Sequence, residues 1–188
     1  MSNPMVDLHT DHRHFAKVLN ILRQELDLIQ QDGDPFLELI VEALEYLRSY
    51  ADEYHHPREE VIFTYHLDRS DELAEVIGRL SGQHAEIKQL TTDLLEHSEG
   101  LLHDEVLTRE AYSSALENFL IKQIGHLRDE EEAVFPMLEK TFTPEDWRLI
   151  DRRMPPRPDV LFCGEEKARF KALYERIMAD GTLIERTD

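Results

Sequence analysis

Two histidine–glutamate pairs at one spacing carry the chemistry that this chain offers. His55 precedes Glu59 in Tyr54-His55-His56-Pro57-Arg58-Glu59-Glu60, and His126 precedes Glu130 in Gly125-His126-Leu127-Arg128-Asp129-Glu130. On a helix, residues four apart lie on one face, about 6 Å along the axis at the 1.5 Å rise per residue. Each pair therefore offers an imidazole and a carboxylate to one point, the donor set of a metal site. Two more histidines, His12 and His84, stand among apolar residues at helical intervals.

Four long amphipathic stretches would have to position these groups. The first opens at Asn3-Pro4, a cap and first-turn proline, and places Leu8, His12, Phe15, Leu19, Leu22, Leu26 and Ile29 on one face. It stops at Asp32-Gly33-Asp34-Pro35, which also holds a cap and proline for the next helix. The second aligns Leu37, Ile40, Leu44, Leu47, Ala51, His55 and Ile62, with His56 on the polar side beside Glu45, Ser49 and Asp52. Pro57 interrupts it, and an interior proline costs roughly 3 kcal/mol and kinks a helix. The third begins at Ser70-Asp71-Glu72, aligns Leu73, Ile77, Leu80, His84, Ile87, Thr91 and Leu94, and gives way to a loop from Gly100. The fourth, capped by Thr108, aligns Leu116, Phe119, Gln123, His126, Glu130, Ala133 and Met137.

Short connections between four such helices predict an all-α, up-down-up-down antiparallel four-helix bundle over residues 1–140. His12 and His84 are 72 positions apart, and the two His/Glu pairs are 71 apart, so two helical hairpins repeat one set of residues. Residues 141–188 read as a C-terminal helical extension. Thr143-Pro144-Glu145-Asp146 resembles a capping box before Trp147 and Ile150. A linker, Met154-Pro155-Pro156-Arg157-Pro158, and then Val160-Leu161-Phe162 lead to a last helix with Phe170, Leu173, Tyr174 and Ile177 on one face. The extension is expected to pack on the bundle or on a partner subunit, as in a homodimer.

A formal net charge of −19 argues against nucleic acid and anionic membranes as partners, since both would repel it. The single cysteine, Cys163, excludes an intramolecular disulfide and suits a reducing compartment. No basic-then-apolar leader and no apolar run of about 20 residues is present, so a cytoplasmic protein without a membrane span is expected.

A lone histidine in an apolar stripe is more often a hydrogen-bonded core residue than a ligand. Here each of the four helices brings one, and two bring a glutamate whose unpaired burial would be costly. A bound cation supplies the missing counter-charge. His12, His55, His84, His126, Glu59 and Glu130 are too many donors for one ion, and a dinuclear centre bridged by the two glutamates is the natural count. Imidazole and carboxylate without thiolate suit iron, manganese or zinc. His56 with Glu60 repeats the spacing on the polar face and is expected to be solvated, as is the acidic run of Glu131 and Glu132. His9, His14, His66, His97 and His103 fall off the stripes or near helix ends, and Tyr54 reads as packing. Glu53 with His56 is the one Glu-x-x-His pair, pointing outward, which disfavours a ferritin-like site.

The order His12 … His55-x-x-x-Glu59 … His84 … His126-x-x-x-Glu130, with Asp11-His12-Arg13, His55-His56-Pro57-Arg58-Glu59-Glu60 and His126-Leu127-Arg128-Asp129-Glu130-Glu131, resembles the hemerythrin-like (HHE cation-binding) domain over roughly residues 6 to 140. The resemblance implies a non-haem di-iron centre that binds or senses dioxygen or a related small molecule, such as nitric oxide or peroxide. Oxygen-carrying hemerythrins have a second histidine one turn away on the third helix, where this chain has Leu80 and Lys88 around His84. The alternatives are therefore a di-iron oxidoreductase acting on peroxide, nitric oxide or ferrous iron, and an iron-handling or interaction module. Because ligating histidines must be neutral, metal affinity is expected to fall as the pH drops through about 6.5.

Overall fold

The computed structural model describes residues 4–154 and 170–179. Among them every regular element is helical: α1 (Pro4–Gln30), α2 (Leu37–Tyr46), a π-helical segment (Leu47–His55), α3 (His56–Leu67), α4 (Ala74–Leu102), α5 (Arg109–Asp129), a second π-helical segment (Glu130–Val134), α6 (Phe135–Thr141), α7 (Pro144–Asp151) and α8 (Lys171–Ala179). They form a helical bundle in which α1 and α4 both pack against α5, and α2 packs against α4. The Asn3 cap, Pro155–Pro158 of the expected linker, Val160-Leu161-Phe162 and Cys163 lie outside the described residues.

The apolar stripes of α1 and α4 are buried as the periodicity predicts, from Leu8 to Ile29 and from Leu73 to Leu94. Two helix ends share a device. Asp32 and Asp104 adopt left-handed φ values of 58° and 64°, and the next residue reaches back, Gly33 N–H to Leu28 O (2.8 Å) and Glu105 N–H to Gly100 O (2.9 Å). Gly100 thus belongs to α4 and not to the loop expected there. A Cβ at Gly100 would lie 2.5 Å from Glu105 Oε2, so a larger residue there would push the exposed Glu105 carboxylate aside. Thr108 caps α5, and Thr143 with Asp146 forms the expected capping box. Asp34-Pro35 does not cap α2, which starts after Phe36, whose N–H donates to Glu25 Oε2 (2.8 Å).

The π segments shift the phase of the helical residues after them. His56 N–H bonds to Ala51 O, and Phe135 N–H to Glu130 O, each five residues back instead of four. A wider turn rotates less per residue, so the buried face after Glu130 moves on by one. Val134 and Leu138 are buried where the α-helical period pointed to Ala133 and Met137. Pro57 and Pro136 each follow the last five-residue bond of a π segment. The loosened ladder leaves room for a ring that would otherwise press on the carbonyl four residues back, which accounts for an interior proline without a broken helix.

Two apolar clusters make the core. One gathers Phe15, Leu19, Leu22, Leu44, Leu94 and Phe119, and the other Met5, Leu8, Ile62, Leu80, Val134 and Phe135. On each long helix the histidines and glutamates singled out above fall between the two. The helix α8 adds Phe170, Leu173 and Ile177 to the first cluster, with Phe170 edge-on to Tyr46 and Leu173 N–H donating to Glu42 Oε2 (2.8 Å). Truncating the fully buried ring, Phe170→Ala, is expected to cost about 3–5 kcal/mol, read as a lower denaturant midpoint. An unchanged midpoint would show that α8 docks without contributing to the cooperative fold.

Candidate metal centre

His12 comes from the middle of α1, His84 from α4, and His126 from α5. His55 ends the first π segment, Glu59 lies one turn on in α3, and Glu130 opens the second π segment. All six meet in one layer. Glu59 and Glu130 are fully buried, at 0% exposure. Glu59 Oε1 lies 3.1 Å from His55 Nε2 and 3.6 Å from His12 Nε2, while its Oε2 lies 3.4 Å from His84 Nε2. Glu130 Oε2 lies 3.3 Å from His126 Nε2 and 3.4 Å from His12 Nε2, with Oε1 3.5 Å from His84 Nε2. Each carboxylate therefore faces imidazoles from at least three helical segments.

None of these approaches is a hydrogen bond. All four carboxylate oxygens, and the Nε2 atoms of His84 and His126, are buried without a hydrogen-bond partner. Leaving such groups unpaired costs several kcal/mol in apolar surroundings. Donor atoms around one ion at about 2.1 Å stand roughly 3 Å apart at neighbouring corners, close to the 3.1–3.6 Å seen here. His12 Nε2 and His55 Nε2 pair at 3.0 Å, and the other oxygens and nitrogens converge without bonding one another, an arrangement a cation satisfies. The donors fall into two groups, His12, His55 and Glu59, and His56, Glu59, His84 and His126, with Glu59 common to both.

The opposite nitrogens fix the rings. His12 Nδ1 pairs with Glu131 Oε1 (2.8 Å), His55 Nδ1 with Asp11 Oδ2 (3.2 Å), His84 Nδ1 with Glu60 Oε1 (3.2 Å) and His126 Nδ1 with Gln83 Oε1 (3.0 Å). Such partners select the tautomer that presents Nε2 to a metal. Asp11 also accepts from the Tyr50 hydroxyl (3.0 Å), and Ser81 donates to Glu60 (2.8 Å). Phe135 stacks on His12 (centroids 5.0 Å apart) and Phe15 meets His55 edge-on (4.8 Å).

Several expectations change here. His56 is not solvated: it is only 7% exposed and stacks on His84 with centroids 4.1 Å apart. The reduced rotation of the π segment lets two consecutive histidines face inward. Glu60 and Glu131, expected as surface acids, hold His84 and His12. His9 bridges Glu131 (2.9 Å) and Glu139 (3.4 Å) and meets Phe135 edge-on, so it touches the site through Glu131 and Phe135. His66 is buried against Phe142 and away from the cluster, and Tyr54 packs on Tyr50. Asp11 and Tyr50 carried a faint signal, a carboxylate beside one candidate ligand and a tyrosine five residues before another.

Charge in the layer is unevenly shared. Burial would lower His12, but the Glu131, Glu59 and Glu130 carboxylates override it and raise it to about 10. His84, equally opposed by burial, is raised to about 11 by Glu130, Glu59 and Glu60. Burial drives His126 down to about 2 and lowers His56, with neighbouring imidazoles adding repulsion. Burial would raise Glu59, yet His55, His12 and His84 hold it well below the carboxylate range; burial and the Glu59 charge push Glu130 up to about 7.

Protons on His12 and His84 stabilise metal-free protein in full below pH about 6.5, and that contribution fades as the pH rises through their raised values. A cation must displace them. Loading metal-free protein with zinc at pH 7 is expected to release more than two protons, from His12, His84 and the partly protonated Glu130, read with an indicator dye in weak buffer. Affinity should keep rising above pH 7 instead of levelling near 6.5, the threshold set by unperturbed imidazoles. Asp11→Asn is expected to weaken metal binding about 10–100-fold without loss of helix content by circular dichroism.

The family model for the hemerythrin HHE cation binding domain matches residues 3–138. Searches of curated proteins and of solved structures returned no match. The match takes in α1 through most of α6, with every histidine and carboxylate of the buried layer. The chain belongs to the hemerythrin HHE cation-binding domain family.

Proposed function

We propose that this protein is a non-haem di-iron protein that binds or senses dioxygen or a related small molecule, such as nitric oxide or peroxide. One observation carries the reading: two buried carboxylates, without hydrogen bonds, stand between two groups of imidazole nitrogens. His12 and His55 would hold one ion, His84 and His126 the other, with Glu59 and Glu130 bridging. A bound iron pair supplies electrons and an open position for a diatomic or peroxide ligand.

The chain's own residues do the rest. The Nδ1 partners Glu131, Asp11, Glu60 and Gln83 hold each imidazole with its Nε2 inward. Phe15 and Phe135 press on the rings of His55 and His12 and keep water from that side. Gln83, Ile87, Gly125 and His126 line a surface cleft that reaches His126. We assign residues 1–140 to an up-down-up-down bundle around the centre and 141–188 to an extension, in a reducing cytoplasm that a lone Cys163 suits. The alternating direction fits the core, since Leu8 precedes His12 while Ile62 follows Glu59, and Leu80 precedes His84 while Val134 follows Glu130, all four in one cluster.

Elemental analysis of freshly purified protein, with visible spectra before and after reduction and exposure to air, tests the reading. Two irons per chain and absorption that responds to oxygen, azide or nitric oxide are expected. Glu59→Ala or Glu130→Ala should leave one ion or none. Iron-loaded protein whose spectrum ignores all three molecules would contradict the proposal.

A further inference from the structure

We infer that His56 is a fifth imidazole ligand of the centre, binding on the His84/His126 side and oriented by Asp52. The inference rests on the dinuclear reading above and adds a residue to it. Four observations carry it, none of which involves the spacing that identified the other ligands.

The ring is buried, and its ring contacts are with the candidate ligands His55, His84 and His126. One ring nitrogen of His56, a Glu59 carboxylate oxygen and a ring nitrogen each of His84 and His126 all lie within 4.8 Å of one another. Donors on opposite sides of one ion stand about 4.2 Å apart, and neighbouring ones about 3 Å, so binding requires the His56 ring to turn out of its parallel stack on His84. Its Nδ1 faces Asp52 Oδ1 at 3.4 Å. Each of the other four site imidazoles also turns Nδ1 to an oxygen and Nε2 inward, and His56 repeats that arrangement. Finally, the Asp52 side chain is itself 96% buried, being 4% exposed, and its Oδ2 has no hydrogen-bond partner. A carboxylate facing the ring nitrogen of an inward-turned imidazole is the partner expected of a metal-bound histidine, although Asp52 also feels the charges of Lys88 and Arg48.

A cleft lined by Asp52, Pro57, Ser81, Ala85 and Lys88 reaches His56 and His84. A histidine that merely lined this opening would have no need of a buried orienting carboxylate. With His56 bound, one ion has three imidazoles and the other two, so the two ions differ.

The test is an anaerobic cobalt(II) titration of the full chain, read by visible absorption and by elemental analysis after dialysis. Wild-type protein is expected to retain two ions. His56→Ala should lose one of them or bind it at least tenfold more weakly, with added free imidazole restoring the second ion and its absorption. Asp52→Asn should weaken the same ion by about 10–100-fold, and it carries the test if His56→Ala fails to fold. Wild-type and both variants retaining two ions with identical absorption would overturn the role of His56 and leave the dinuclear reading standing. Wild-type protein that retains no ion would overturn both.

Discussion

Everything in this fold depends on two carboxylates that water cannot reach. Glu59 and Glu130 lie at 0% exposure between two apolar clusters, and none of their four oxygens accepts a hydrogen bond. An isolated buried carboxylate would take up a proton or unfold its surroundings. Imidazoles from α1, α4, α5 and the first π segment converge on them instead, and in metal-free protein the layer shares out a limited number of protons. A cation in the same place satisfies all of these donors at once. Metal binding and folding are therefore linked.

Helix register decides which side chains reach that layer. In α1 and α4 an unbroken four-and-three rhythm carries His12 and His84 inward along with their leucines. The two His-x-x-x-Glu segments depart from this. One is preceded by a π segment that ends at His55, and the other opens a π segment at Glu130. Each irregularity is followed at once by a proline, Pro57 or Pro136, where the hydrogen-bond ladder returns to its α register. Glu131 turns to His12 in the second segment, and His56 turns inward in the first.

The stripes, the caps at Thr108 and Thr143 and the six converging donors were legible in the sequence because each depends on local periodicity or local hydrogen bonding. The π segments were not, since nothing in the residues from Leu47 to His55 breaks the α-helical pattern strongly. One extra residue in a turn is a tertiary compromise around the buried layer. The errors trace to it: Ala133 and Met137 in place of Val134 and Leu138, and His56 assigned to the surface. Glu60, Asp11 and Gln83 were hidden for another reason. Their roles come from long-range contacts, to His84, His55 and His126, that no spacing within one helix reports. Gly100 looked like a terminator, but the folding back of Glu105 keeps it inside α4.

The central claim is that two ions lie between Glu59 and Glu130. Anomalous diffraction at the iron edge, from crystals grown with ferrous iron, tests it most directly. Two peaks about 3.5–4 Å apart, one beside His12 and His55 and the other beside His84 and His126, are the predicted result. A single peak bound by one group of histidines, or no peak within the layer, would contradict the account.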